Sequence, residues 1–287
     1  MREKEFYCVN VNRFHQKHLP GQAGGCTFAP LYAVQRGGGV KITGKGSNYE
    51  CSTQEINNRS TRESCDCCHR FKDAPEKHHP TNACKDAQTV IVFGITMPQG
   101  MLHSPDYNLH FLHRTYHTVY MHLDKLGLDL CNFIESQGDY FAVPIPSFAP
   151  LVYHDLEPWG IISLKHAAVH AGLGAFGRSG LMCHPVYGSL LRLGAVVTSA
   201  DLPGDPVIEE DPCPPKCNAC QEVCPSEAFD SEGGFNKLTC IAVYPIALKD
   251  EQGLKNIERI IHTAGYNYWL KCDECLKVCP NNQPKGS

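Results

Sequence analysis

The sequence predicts a layered α/β domain (an α+β arrangement fits the same pattern) followed by a smaller cysteine-rich module. Three observations carry this. Strand and helix patterns alternate between residues 86 and 199, a proline-rich acidic segment closes that stretch, and eight cysteines crowd into residues 213–279. The chain of 287 residues has 42% hydrophobic and 20% charged residues, the balance of a globular protein with one sizeable core.

Residues 1–85 form a Cys/Gly-rich region whose fold the pattern does not define. It holds Gly24-Gly25, Gly37-Gly38-Gly39 and the polar run Ser52 to Ser64, with only a short strand-like stretch around Phe28–Val34. From residue 86 the signals sharpen. Thr89–Thr96 is β-branched and ends before Pro98, as a buried strand would. Tyr107–Lys125 repeats Leu109, Leu112, Tyr116, Val119, Tyr120 and Leu123 at steps of three and four, one face of a helix. Ile161–Ala171 is a second helix, closed by Gly172 at C′. Leu190–Ser199 reads as another strand. Asp201–Pro215, rich in proline and acids, links residues 86–205 to a second module over 206–287.

The apolar stretches fall far short of the ~20 residues a membrane span requires, so no membrane attachment is expected. The opening Met1-Arg-Glu-Lys-Glu-Phe-Tyr has no apolar core of an export signal, which places the chain in the cytoplasm. With 26 basic against 30 acidic residues the net charge is −4, and this gives no general attraction to nucleic acid, tRNA included. Seventeen cysteines in a reducing compartment point to metal ligands rather than disulfides.

Two runs share one spacing: Cys217-Asn-Ala-Cys220-Gln-Glu-Val-Cys224-Pro225 and Cys272-Asp-Glu-Cys275-Leu-Lys-Val-Cys279-Pro280. Each is C-x2-C-x3-C-P, the tail of the bacterial ferredoxin run, in which the cysteine before proline ligates the other cluster. Two [4Fe–4S] clusters take eight thiolates. The crossing rule assigns Cys213, Cys217, Cys220 and Cys279 to one cluster and Cys224, Cys240, Cys272 and Cys275 to the other. Cys213 stands one residue too far from Cys217, a gap that a backbone bulge would absorb. Paired C-x2-C knuckles also suit zinc, but the third cysteine of each run, the proline and the total of eight favour iron–sulfur clusters. A separate patch, Cys65, Cys67, Cys68 and His69 followed by His78-His79 and Cys84, is a candidate zinc site.

Gly172-Leu-Gly174-Ala-Phe-Gly177 matches the dinucleotide fingerprint, but a helical pattern precedes it where a strand is required. Ala171-Gly-Leu-Gly-Ala-Phe-Gly-Arg-Ser-Gly-Leu181, then Pro185-Val-Tyr-Gly-Ser189 and Leu193-Gly-Ala-Val196, followed by the eight cysteines, resembles the epoxyqueuosine reductases and the related reductive dehalogenases. Arg114-Thr-Tyr-His117 is similar to a segment of that family. The resemblance implies a nitroreductase-like cobalamin-binding domain followed by a ferredoxin-like domain with two [4Fe–4S] clusters. It implies an oxidoreductase of queuosine biosynthesis and tRNA processing. Electrons from an external low-potential donor, of ferredoxin or flavodoxin type, would reach cobalamin for a two-electron removal of an oxygen or a halide. The substrate class would be a small molecule or a modified nucleoside. It also implies that Gly172, Gly174, Gly177, Tyr187 and Gly188 lie along the cobalamin. The family places a proton-donating acid where this chain has Pro158, so Tyr153, Asp155 and Glu157 nearby are the candidate donors. Two other readings stand beside this one: an electron-transfer protein without its own substrate chemistry, and a non-catalytic cobalamin or metal-handling protein.

Overall fold

A mixed four-stranded sheet organises the chain, in the order β1 (Tyr7–Asn10), β2 (Thr89–Thr96), β8 (Leu191–Thr198) and β3 (Ala142–Ile145). The structure, a computed structural model, describes residues 71–106, 108–148, 150–154, 157–202, 204–230, 234–240 and 272–283, with the backbone of 7–10. β8 runs antiparallel to β2, with Thr89 opposite Thr198 and Thr96 opposite Leu191. It also runs antiparallel to β3, while β1 and β2 are parallel. The strand expected at 190–199 is thus β8, and it lies inside the sheet.

Side chains alternate between the two faces of this sheet. Val90, Val92, Leu193, Ala195 and Val197 pack with Phe71 and with Ala167 and Ala168 of helix α3 (Leu164–His170). Ile91, Phe93 and Val196 pack on the other side against Leu112, Val119 and Leu123 of helix α2 (Asn108–Ser136). Cover on both faces explains why β2 and β8 are apolar almost throughout rather than alternating with polar residues. A single helical turn, α1 (Pro80–Ala83), precedes β2, with Pro80 in its first positions and His79 accepting from the Thr81 N–H.

α2 extends eleven residues beyond the expected end at Lys125, because Leu126, Leu130, Cys131 and Ile134 continue its apolar stripe. Gly127 and Asp129 interrupt that stripe in the sequence. A glycine inside a helix costs about 1 kcal/mol, whereas each fully buried Leu or Val contributes about 1.5–3 kcal/mol, so packing wins. A Cβ at Gly127 would stand 3.3 Å from the Pro144 side chain, and the glycine lets α2 lie close on β3. β3 carries that proline in its middle and was not expected as a strand. It occupies the sheet edge, where a residue without an N–H is tolerated. α3 ends as expected: Gly172 adopts φ +70°, its N–H donates to Val169 O (3.0 Å), and the Leu173 N–H donates to Ala168 O (2.9 Å). The α/β layer also begins earlier than residue 86, since β1 and Phe71 both belong to it.

Gly194, in the middle of β8, has no room for a side chain: a Cβ would meet the Phe93 ring at 2.6 Å and Leu123 at 3.3 Å. Gly194→Ala is expected to destabilise the protein by about 1–3 kcal/mol, the usual cost of overpacking, read as a lower midpoint in denaturant titration. Among the described residues no helix is long and apolar enough to cross a membrane.

Candidate functional site

The two cysteine runs fold alike. Cys220 sits in the single-turn helix α4 (Ala219–Glu222) and Cys275 in α5 (Glu274–Lys277). The residues capping them, Asn218 (φ −129°, ψ 13°) and Asp273 (φ −124°, ψ 6°), have nearly the same backbone, as do Val223 and Val278 at the other ends. One sequence grammar therefore yields one local structure twice. α4 and α5 pack on each other, which brings the runs together.

The cysteines influence one another's ionisation in two overlapping groups. Burial raises the Cys220 thiol, and Cys213, Cys279 and Cys217 add to the effect. Burial likewise raises Cys279, with Cys213 and Cys217 contributing. In the second group, burial pushes Cys275 up to about 12, with Cys272, Cys240, Cys220 and Cys224 adding further. Cys224 behaves differently. Burial raises it, but the Ala228 N–H (3.4 Å to Sγ) and the Ser226 hydroxyl bring it below the usual thiol value. Crowded thiols resist ionisation only while no cation is present, and bound iron reverses that preference. The additional residue between Cys213 and Cys217 is taken up at Lys216, which adopts φ +60° beneath a Cys217 N–H to Pro214 O hydrogen bond of 3.1 Å. Arg178 clamps this loop. Its guanidinium donates to Pro214 O and Cys217 O, both at 3.0 Å, and pairs with Asp211 at 3.3 Å.

The glycine motif lies at the seam between the sheet domain and the cysteine runs. A Cβ on Gly172 would strike the Pro206 carbonyl, one on Gly174 the Cys183 carbonyl, and one on Gly188 the Asn281 carbonyl. At Gly177 it would stand 2.9 Å from Cys183 Sγ and 3.4 Å from Cys213 Sγ. The missing side chains therefore admit protein atoms. Tyr187 is half-exposed beside them, on a turn whose backbone N–H groups donate to the His184 ring.

A cavity of about 370 Å³ opens between the sheet, α2 and the second group of cysteines. Cys224, Cys240, Cys272 and Cys275 all line it. The facing wall carries Tyr116, Tyr120 and Phe148, with the Tyr120 and Phe148 rings stacked at 5.3 Å. Three cations, Lys165, Arg192 and Lys237, face the same space. Arg192 lies 5.1 Å from the Tyr116 ring centre and donates to the Ser189 carbonyl. Burial raises the Tyr120 phenol, and the charge and hydrogen bond of Arg192 oppose the rise. Burial lowers Lys165, and Lys237 adds to that. Among the described residues, Ser147 Oγ and Arg192 Nε are buried without a hydrogen-bond partner, and both residues line the cavity.

The expected donors stand elsewhere or lie outside the description. Tyr153, on β4 (Val152–His154), is 53% exposed and does not line the cavity. Asp155 lies outside the described residues, and Glu157 contributes its backbone to β5 (Glu157–Trp159). None of Gly172, Gly174, Gly177, Tyr187 and Gly188 lines the cavity either. Sequence reading passed over Tyr120 and Arg192. The signal available was an arginine inside an otherwise apolar strand, and a Tyr116/Tyr120 pair one turn apart on the buried face of a helix. Of the candidate zinc ligands, Cys65, Cys67, Cys68 and His69 lie outside the described residues. Cys84 is buried in the core, with its thiol toward the Phe141 carbonyl at 3.8 Å.

Residues 213–282 match the family model of a 4Fe-4S double cluster binding domain, and all eight cysteines fall within it. The chain is 26% identical over 220 residues to the epoxyqueuosine reductase of Lactococcus garvieae, covering 74% of this chain and 57% of that protein. It is 34% identical over 122 residues to the epoxyqueuosine reductase of Synechococcus sp. RCC307, covering 42% and 34%. The chain is similar in sequence to the epoxyqueuosine reductases. In fold it matches the solved structure of epoxyqueuosine reductase from Streptococcus thermophilus, with a TM-score of 0.50 and 21% identity over 74% of this chain and 54% of that one. The chain thus spans between about a third and just over half of these relatives' length. The double cluster model accounts for the iron–sulfur reading of the cysteine runs in preference to zinc.

Proposed function

We propose that the chain is an iron–sulfur oxidoreductase that carries out a two-electron reductive removal of oxygen or halide in the cavity beside the second cysteine group. One observation carries this reading. The four cysteines of one group, a buried tyrosine and three cations line a single space. Removal of an epoxide oxygen as water takes two electrons and two protons and leaves an alkene. Removal of a halide takes two electrons and one proton and leaves a C–H bond.

Cys213, Cys217, Cys220 and Cys279 are the ligands of the first cluster in this reading, and Cys224, Cys240, Cys272 and Cys275 those of the second. Lys165, Arg192 and Lys237 offset the negative charge of the second cluster and hold an anionic group of the ligand. Tyr120, kept protonated by burial and oriented by Arg192, gives the proton. Tyr153, Asp155 and Glu157 remain candidates for the second proton, because Pro158, next to Glu157 and opposite Tyr153 in the β4–β5 pair, borders the cavity.

The lining suits part of a cobalamin by its chemistry, while the whole cofactor needs more room than this cavity of about 370 Å³. Tyr116, Tyr120 and Phe148 offer flat apolar faces, and Ser147 Oγ and Arg192 Nε are unpartnered groups for its amides. When bound, the clusters would supply single electrons and cobalamin the low-valent cobalt for a two-electron reduction. The donor is an external low-potential protein of ferredoxin or flavodoxin type, and the substrate an epoxide-bearing modified nucleoside or a related small molecule.

Metal content of anaerobically prepared protein, reconstituted with iron, sulfide and cobalamin and then desalted, tests the proposal. About eight iron and about one cobalt per chain is the expected result. About eight iron without cobalt would leave an electron carrier. Zinc with little iron would overturn the reading.

A further inference from the structure

A ninth sulfur stands behind the first cysteine group. Cys183, in the two-residue strand β7 (Met182–Cys183), is 3% exposed and belongs to neither C-x2-C-x3-C-P run. Its Sγ and that of Cys213 both lie within 3.4 Å of the point that a Gly177 Cβ would occupy. Gly177 therefore leaves open the space that the two sulfurs share. Cys183 is also close enough to Cys279 and Cys213 for both to affect its ionisation.

The hydrogen bonds around this sulfur decide where its proton goes. The Asn281 amide donates to Pro212 O at 2.8 Å and so holds the turn after Cys279 to the Cys213 loop. The Cys183 thiol donates to Leu181 O at 3.9 Å, a long and weak bond even for sulfur. A Cys213 thiolate bound to iron is a charged acceptor and a better one. The backbone already treats that sulfur as an acceptor, since the Arg178 N–H donates to Cys213 Sγ at 3.3 Å.

The geometry points to Cys183 as a positioning residue of the first cluster, its thiol donating a hydrogen bond to the Cys213 sulfur. The inference rests on the two-cluster reading. Hydrogen bonds to cluster sulfurs stabilise the reduced, more negative state and raise the reduction potential. The sheet domain thereby sets the potential of a cluster whose ligands all come from the other module.

The test compares the reconstituted wild-type chain with Cys183→Ala, Cys183→Val and Cys183→Ser. Iron is measured first, and then the midpoint of each cluster by redox titration followed by electron paramagnetic resonance. About eight iron in the wild type establishes the clusters independently of Cys183. All three variants are expected to keep that iron. Cys183→Ala and Cys183→Val should lower the first cluster's midpoint, on the order of a tenfold change in the reduced-to-oxidised ratio at fixed potential, or about 59 mV for one electron. Cys183→Ser, which keeps a donor, should recover part of the shift, and the second cluster should not move. An unchanged first midpoint in Cys183→Ala and Cys183→Val would overturn the inference. So would a fall from about eight to about four iron in Cys183→Ala, which would make Cys183 a ligand.

Discussion

Cys275→Ala is expected to remove the second cluster and all turnover together. Cys275 is flanked by Cys272, Cys240 and Cys224, sits in the helical turn that positions its run, and lines the cavity. Iron should fall from about eight to about four per chain, with the resonance of the first cluster retained. That retained signal separates the loss of one cluster from a failure to fold. Turnover with a chemical reductant that persists at four iron would show that electrons do not pass through the second group, and the proposed route would be wrong.

The second large effect is expected at Tyr120. Replacing it with phenylalanine removes only the hydroxyl, and the stacking on Phe148 at 5.3 Å survives. Turnover should drop about 10²–10⁴-fold, the usual contribution of a positioned proton donor, with iron and cobalt content unchanged. The pH profile supplies an independent check. Burial holds the phenol above its ordinary value of 10.0, so the donor stays protonated through neutral pH. Activity limited by this group should therefore be flat through neutrality and fall only in the strongly alkaline range. Full turnover in Tyr120→Phe would return attention to Tyr153 and the acids beside it.

Much of the fold was legible where one residue type answers to one force. The β-branched run Thr89–Thr96 and the apolar run ending at Thr198 are strands because both faces of the sheet are covered, and their composition states as much. Gly172 ends α3 because only a residue without Cβ takes φ +70° against the Pro206 carbonyl. Other parts depend on partners far along the chain. Pro144 argues against a strand until its place at the sheet edge is known, and β1 gains its identity only by pairing with Val90 and Ile91.

The site divides in the same way. The cysteine spacing was informative because a short loop has few ways to present thiolates to a metal, and the 4Fe-4S double cluster model covers that stretch. The cavity wall was hidden, since Tyr120 comes from α2, Arg192 from β8 and Lys237 from the region after the first run. No local spacing connects them. The glycines that the resemblance sets along a cofactor have Cβ positions that face protein atoms.

Asn282, which follows the last cysteine by three residues, is 1% exposed within the sheet domain. Its side chain accepts from the Ser189 N–H at 2.8 Å and donates to Leu276 O at 2.9 Å, while its own carbonyl accepts from Gln99 at 2.6 Å. Asp273 is equally buried and accepts from Asn108 at the start of α2 at 3.0 Å. The metal-binding loops are thereby fastened to the sheet at both ends of the second run. The two modules are therefore expected to melt as one cooperative unit, read as a single transition in thermal unfolding, and removal of iron is expected to lower its midpoint. A cell short of iron would hold a chain with more frequent local opening, more exposed to proteases, so metal supply would govern how long the protein persists as well as whether it works.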